Sequence, residues 1–158
     1  MPLRNPTDLK PALQPGSRLL GIDLGTKTIG LALSDPLLMV ATPLKTLERG
    51  KFGRDAAILQ QLRREHGVGG LVIGLPISLD GTEGPRAQST RAFARNLLAL
   101  DDPEICFWDE RFSTAAVTRG MIEADLTRKR RAEIVDRAAA AYILQGLLDR
   151  LRHAGPAG

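Results

Sequence analysis

Cysteine is nearly absent from this 158-residue chain, and the single Cys106 excludes an internal disulfide framework or a four-cysteine zinc site. Cys106 lies in the apolar run Ile105-Cys106-Phe107-Trp108, which reads as a buried structural thiol and suits a reducing cytoplasm. No apolar run approaches the roughly 20 residues of a membrane span, and the first residues lack the apolar centre of an export signal, so a cytoplasmic location is expected. Aromatic residues number four Phe, one Trp and one Tyr, too few for stacking on unpaired bases to dominate a nucleic-acid contact. There is no internal repeat and no Gly-x-x-x-x-Gly-Lys-[Ser/Thr] phosphate loop. Neither charge sign is in large excess. Lys plus Arg total 22 against 18 Asp plus Glu, giving net +4 and a pI near 9.7, a moderate preference for an anionic partner.

Hydrophobic residues make up 43%, enough for one well-filled core, and the length admits one ordinary domain. Residues 1–17 carry Pro2, Pro6, Pro11 and Pro15 with few large apolar groups, so a flexible tail is expected there, a single domain over 18–152, and a second flexible tail over 153–158. Arg18 to Asp23 is an apolar run ending in a carboxylate and a Gly-Thr turn, the pattern of a central strand. Thr28 to Ser34 closes a hairpin with it, and residues 40–47 supply a third strand. Arg54 to Glu65 is helical by the spacing of Ala57, Ile58 and Leu62, with Gly67 at the C-cap. Leu71 to Gly74 is a buried strand, and a glycine-rich loop leads to a helix capped by Thr82 and carrying Phe93, Leu97 and Leu98. Ile105 to Trp108 is the next strand, with Ser113 or Thr114 capping a helix beyond it. Thr127 to Arg131 reads as an exposed basic connection before a last helix from about Ala132 to Leu151. Three strands followed by alternating helix and strand imply an α/β fold. The expected sheet is mixed and five-stranded, with its first three strands antiparallel, the fourth and fifth parallel to the first, and helices on both faces.

Acidic residues stand where such a sheet delivers side chains to one edge. Asp23 ends the first strand, Asp109 and Glu110 end the last, and Asp136 lies one turn into the final helix. Ligands of open α/β sheets gather beyond the carboxyl ends of the strands. Carboxylates converging there repel unless divalent cations neutralise them, and Mg2+ takes a few carboxylate oxygens together with water and substrate phosphate. Two such ions about 3.5–4 Å apart can serve both the attacking and the leaving oxygen of a phosphodiester. Each acid alone has a plainer reading: Asp23 suits a turn, and Asp109-Glu110-Arg111 suits a solvated strand end with a local ion pair. Asp136 is more telling, because Val135, Ala138, Ala139, Ala140 and Ile143 surround it. Glu133, one turn earlier on the same face, is a candidate outer ligand. Asp149 reads as a surface charge among Arg150 and Arg152.

Four segments in order carry a resemblance. Asp23-Leu24-Gly25-Thr26-Lys27-Thr28-Ile29-Gly30-Leu31-Ala32 comes first, then Gly74-Leu75-Pro76 with Asp80-Gly81-Thr82. Asp109-Glu110-Arg111-Phe112-Ser113-Thr114 follows, then Val135-Asp136 with Ala139-Ala140 and Tyr142-Ile143-Leu144-Gln145. Together they resemble the YqgF (RuvX) family over essentially Arg18 to Leu151. The resemblance implies an RNase H-like single domain and a nuclease, described both as a Holliday-junction resolvase relative and as the enzyme maturing the 5′ end of 16S ribosomal RNA. It implies that Asp23, a middle acid and Asp136 are catalytic and hold Mg2+ or Mn2+. Side chains alternate along a strand, so one of the adjacent pair faces the site: Glu110 is the expected metal ligand and Asp109 the reserve. Phe112 stands where the family commonly has Leu. Lys27, Arg111, Arg128, Lys129, Arg130 and Arg131 become candidate phosphate contacts, which position a substrate with little base reading. The loop Asp80 to Gly84 can approach a backbone closely because glycine lacks a side chain. The implied partner is structured RNA or branched DNA, and symmetric cutting of a four-way junction favours a homodimer. Asp23-x-Gly25-Thr26 also opens sugar kinases and actin-like ATPases, but those need two such domains. A catalytically silent binding module is disfavoured because carboxylates without a cation oppose phosphate.

Overall fold

The computed structural model describes residues 3–4, 6–78, 80–112 and 128–154. The expected caps Ser113 and Thr114, and Thr127, lie outside the described residues. Among those described, six strands form one sheet: β1 (Leu3–Arg4), β2 (Arg18–Leu24), β3 (Thr28–Ser34), β4 (Ala41–Glu48), β5 (Val68–Leu75) and β6 (Glu104–Asp109), in the order β1-β6-β5-β2-β3-β4. The helices among the described residues are α1 (Pro6–Ala12), α2 (Phe52–His66), α3 (Pro85–Asp101) and α4 (Arg128–Ala154), with a 3-10 turn at Glu110–Phe112. β3 runs antiparallel to β2 and to β4, while β5 runs parallel to β2 and β6 parallel to β5. The expected five strands are therefore present with the expected directions, and β1 adds a sixth at the edge beside β6.

Strand alternation assigns the two faces. Leu20 and Ile22 of β2, Leu71 and Ile73 of β5 and Ile105 of β6 pack with Ala56, Leu59 and Leu62 of α2 and with Phe93, Ala94 and Leu97 of α3. The intervening Leu19, Val72, Cys106 and Trp108 pack with Ala139, Ala140, Ile143, Leu144 and Leu147 of α4. Burial at this second face pushes the Cys106 thiol up to about 12, as suits a structural cysteine. Two glycines let α4 lie close. A Cβ on Gly21 would sit 2.9 Å from the Ala140 carbonyl oxygen and 2.8 Å from Leu144 Cβ, and one on Gly74 would collide with Ile143 Cδ1. No helix among the described residues is long and apolar enough to cross a membrane.

The segment expected to be a flexible N-terminal tail is corrected by the structure. Leu3 and Arg4 pair with Ile105 and Cys106, and α1 packs against α4 and β6 with Leu9 fully buried. Pro6 opens α1, where its fixed φ and missing N–H cost nothing, so proline here is compatible with order. Leu9→Ala is expected to lower stability by about 2–4 kcal/mol, the cost of emptying a buried leucine site. Urea unfolding with an unchanged midpoint would return α1 to the status of a loose appendage.

Two boundaries also differ. α4 begins at Arg128, so Arg128 to Arg131 belong to its first turns rather than to an exposed connection, and it continues through Ala154, into the expected C-terminal tail. A basic first turn opposes the helix dipole, and this hid the helix start in the sequence. Thr82 does not cap α3. Its amide and hydroxyl donate to Asp80 Oδ1 at 3.0 and 2.7 Å, and the helix starts instead at Gly84 followed by Pro85. Gly67, by contrast, takes the left-handed conformation (φ 64°) at the end of α2 and donates its N–H to the Arg63 carbonyl, as expected.

Candidate active site

Because β2, β5 and β6 are parallel, their carboxyl ends open on one edge. Asp23 lies at that edge in β2 and is only 2% exposed. It shares strand parity with Leu19 and Gly21, and so belongs to the face that α4 covers. The Ile22–Ile73 pairing puts Gly74 next to Asp23 one step further along. From the other side, the carboxyl carbon of Glu110 lies 3.4 Å from the point a Cβ on Gly74 would occupy. Asp23 and Glu110 thus flank one glycine on the α4 face.

Asp109 has the opposite parity, that of Ile105 and Phe107. Its carboxylate accepts from Arg111 Nη2 at 2.6 Å, from Nε at 3.0 Å, and from the Arg111 backbone N–H at 3.0 Å. Burial pushes the Asp109 carboxyl up, but the hydrogen bonds and charge of Arg111 outweigh it and hold it below the usual carboxylate range. The fork of Arg111, an expected phosphate contact, is turned onto Asp109, the local ion pair its spacing suggested, and Nη1 reaches to 3.8 Å from the Cβ point of Gly81.

Helix α4 brings its N-terminal end to the same edge. Gln145 accepts from the Ala41 N–H and donates to the Met39 carbonyl at the far end of β3 and β4, whereas Ala140 lies over Gly21. Position 136 is one turn before Ala140, about 6 Å along the helix, a rise matched by the two strand residues from Gly21 to Asp23. The side chain of Asp136, like those of Glu133, Arg128, Lys129, Arg130 and Arg131, lies outside the described residues. Among the described residues no group of three or more His, Cys, Asp or Glu is placed to hold a metal ion.

Among the described residues two turns also border this edge. Lys27 is exposed in the turn between β2 and β3, as expected. In the loop before α3, the Ser78 N–H donates to Thr82 O at 2.9 Å and the Gly81 N–H to Ser78 O at 2.8 Å, with Gly81 at φ 89°. Arg91 anchors it by a forked pair to Glu83 at 2.6 and 2.8 Å, which holds the Glu83 carboxyl below its usual range. Arg49 and Arg86, absent from the sequence reading, also reach this edge. Arg49 Nη1 donates to the Gly25 carbonyl at 2.7 Å and Arg86 Nη2 to the Leu24 carbonyl at 3.4 Å. No local pattern singles them out, since both contacts join segments remote in the chain.

The family described as RuvX, Holliday junction resolvase, matches residues 17–150. A protein of Paramagnetospirillum magneticum is 59% identical over 149 residues, covering 94% of this chain and 96% of its own length. One of Rhodobacter capsulatus is 59% identical over 150 residues, covering 95% and 94%. Both bear the name "Putative pre-16S rRNA nuclease". Among solved structures, T. thermophilus RuvC in complex with a Holliday junction substrate covers 86% of this chain and 96% of its own, with a TM-score of 0.52 at 12% identity, a likeness of fold.

Proposed function

The chain belongs to the RuvX family, and we propose that it is a divalent-metal-dependent endonuclease whose cation is held by Asp23, Glu110 and Asp136. The observation that carries this reading is the buried Asp23 and the Glu110 carboxyl flanking Gly74 on one face of the sheet edge. The donor set is all carboxylate oxygen, which fits a hard cation, Mg2+ or Mn2+. When bound, such an ion supplies Lewis acidity and charge neutralisation to phosphodiester hydrolysis. The chain's own residues do the rest. Asp109 is committed to Arg111, which favours Glu110 as the middle ligand and stiffens the turn that carries it. Lys27 and the basic first turns of α4 contact substrate phosphates, positioning a backbone without reading bases.

The substrate is structured nucleic acid, either precursor 16S ribosomal RNA, which the relatives' names mention, or a four-way DNA junction. Both present paired phosphate backbones. The nuclease domain takes in β1 and α1 as well as residues 18–154, it acts in the cytoplasm, and a homodimer would suit symmetric cutting of a junction. The test is parallel incubation of a synthetic four-way junction and a 16S precursor RNA with Mg2+ or Mn2+, and with chelator as control. Metal-dependent cleavage of at least one at a defined position is expected. Intact substrates under every metal condition would overturn the reading.

A further inference from the structure

The turn that follows Asp23 is held from outside by two arginines. Arg49 follows β4, and its Nη1 donates to the Gly25 carbonyl at 2.7 Å while its backbone N–H donates to the Lys27 carbonyl at 2.8 Å. Its guanidinium lies 6.0 Å over the Phe93 ring, and Phe93 in turn meets Phe52 edge-on at 5.5 Å, so the arginine is braced by both helices of the opposite face. Arg86, in the first turn of α3, adds a longer bond of 3.4 Å to the Leu24 carbonyl. Within the turn itself, the Gly25 N–H donates to the Thr28 carbonyl at 2.9 Å. The two carbonyls immediately after Asp23 are therefore tied to side chains from α3 and the β4–α2 loop.

We infer that Arg49, assisted by Arg86, is a positioning residue of the nuclease site, fixing the Leu24–Gly25 backbone so that the Asp23 carboxylate is held in place beside Glu110. The inference rests on the site reading given under Proposed function. Its physical basis is leverage: Asp23 is two residues from the carbonyl Arg49 holds and one from the carbonyl Arg86 holds, and a misplacement of about 1 Å at a reacting centre costs about 100-fold in rate. A guanidinium suits the task better than an ammonium, because its planar fork can bond the carbonyl and lie over Phe93 at once.

The experiment compares Arg49→Met, Arg49→Lys and Arg86→Met with wild type and Asp23→Asn. It measures kcat and KM for cleavage, the salt dependence of nucleic-acid binding, and the melting temperature across a Mn2+ titration. Arg49→Met is expected to lower kcat about 100-fold, leave KM and the salt slope near wild type, and require roughly tenfold more Mn2+ for the same melting shift, in line with the loss on removing a residue that orients a metal ligand. Arg49→Lys should recover part of both losses, and Arg86→Met should show a smaller loss. Wild-type kcat and Mn2+ dependence in Arg49→Met overturn the inference, even if its melting temperature falls. So does a salt slope flattened by about one with intact kcat, which marks a phosphate contact instead. Should Arg49→Met fail to fold, Arg49→Lys and Arg86→Met decide by the same criteria. Failure of wild-type protein to cut either nucleic acid would sink the proposed function, whereas the Mn2+ shift would still report where Asp23 is held. A wild-type melting temperature indifferent to Mn2+ overturns the inference as well.

Discussion

Asp23→Asn should cut turnover at least about 1000-fold, equivalent to about 4 kcal/mol of barrier, while nucleic-acid binding is kept or tightened. The amide preserves the shape of a side chain that is 2% exposed, so packing is conserved. It removes the anionic oxygen that makes a strong ligand for a hard cation. Binding holds because fewer negative charges then face the phosphate backbone. Glu110→Gln and Asp136→Asn should behave alike. Asp109→Asn should not, because Asp109 points to the other face and serves Arg111. Its own signature is in stability against pH. A carboxyl lowered in the folded state contributes stability that is present above its unfolded pKa and lost as pH falls through the folded one. Asp109→Asn should therefore be less stable than wild type at neutral pH and converge with it in acid. Cleavage assays, binding and melts on the four variants in Mg2+ decide the matter. Full activity in Asp23→Asn or Asp136→Asn would end the metal-nuclease mechanism, and loss in Asp109→Asn with none in Glu110→Gln would move the middle ligand by one residue.

Gly21→Ala is the second change with a large expected effect. The added methyl meets the Ala140 carbonyl oxygen at 2.9 Å and Leu144 Cβ at 2.8 Å. Neither is the flexible end of a side chain, so α4 itself must retreat from the sheet. Overpacking of this kind costs about 1–3 kcal/mol. Lifting α4 also displaces position 136 relative to Asp23, so cleavage should fall about 100-fold in protein that remains folded. Gly74→Ala makes the useful contrast, since the first atom met is the tip of Ile143, which can rotate. Gly53→Ala is the control: its methyl enters open space on α2, and removing glycine from an exposed helix should stabilise by about 0.5–1 kcal/mol. Urea unfolding and single-turnover cleavage measure both effects. Wild-type stability in Gly21→Ala would mean that the close approach of α4 is not what this glycine serves.

The parts of the fold that announce themselves in sequence are those with a strong local rule. β2, β3 and β5 are apolar runs bounded by turn residues, and Gly67 sits where only a left-handed residue closes α2 well. Alternation required that only one of Asp109 and Glu110 face the site, without saying which, and the structure sets the two on different faces. The illegible parts depend on contacts remote in sequence. α1 has one fully buried anchor, Leu9, among prolines and charges, and its burial exists only once α4 is in place. Thr82 looked like a cap because its competitor, Asp80, is visible only as a folded turn. The local ion pair of Arg111 with Asp109 was legible from their spacing, though its forked geometry was not. Arg49 and Arg86 carry no local mark, since their partners are carbonyls far along the chain.

The order in which the sheet and α4 occur along the chain has a consequence during synthesis on the ribosome. Asp23 in β2 and Glu110 just beyond β6 are both made before the helix that closes over Gly21 and Gly74. Until that helix emerges, Leu19, Val72, Cys106 and Trp108 lack their covering layer, and position 136 has not reached the edge. A nascent chain therefore holds only two of the three proposed ligands, and the proposed centre is complete only once α4 has docked. An enzyme that works on ribosomal precursors would thus be made, beside abundant RNA, in a form that stays inert until translation has passed α4.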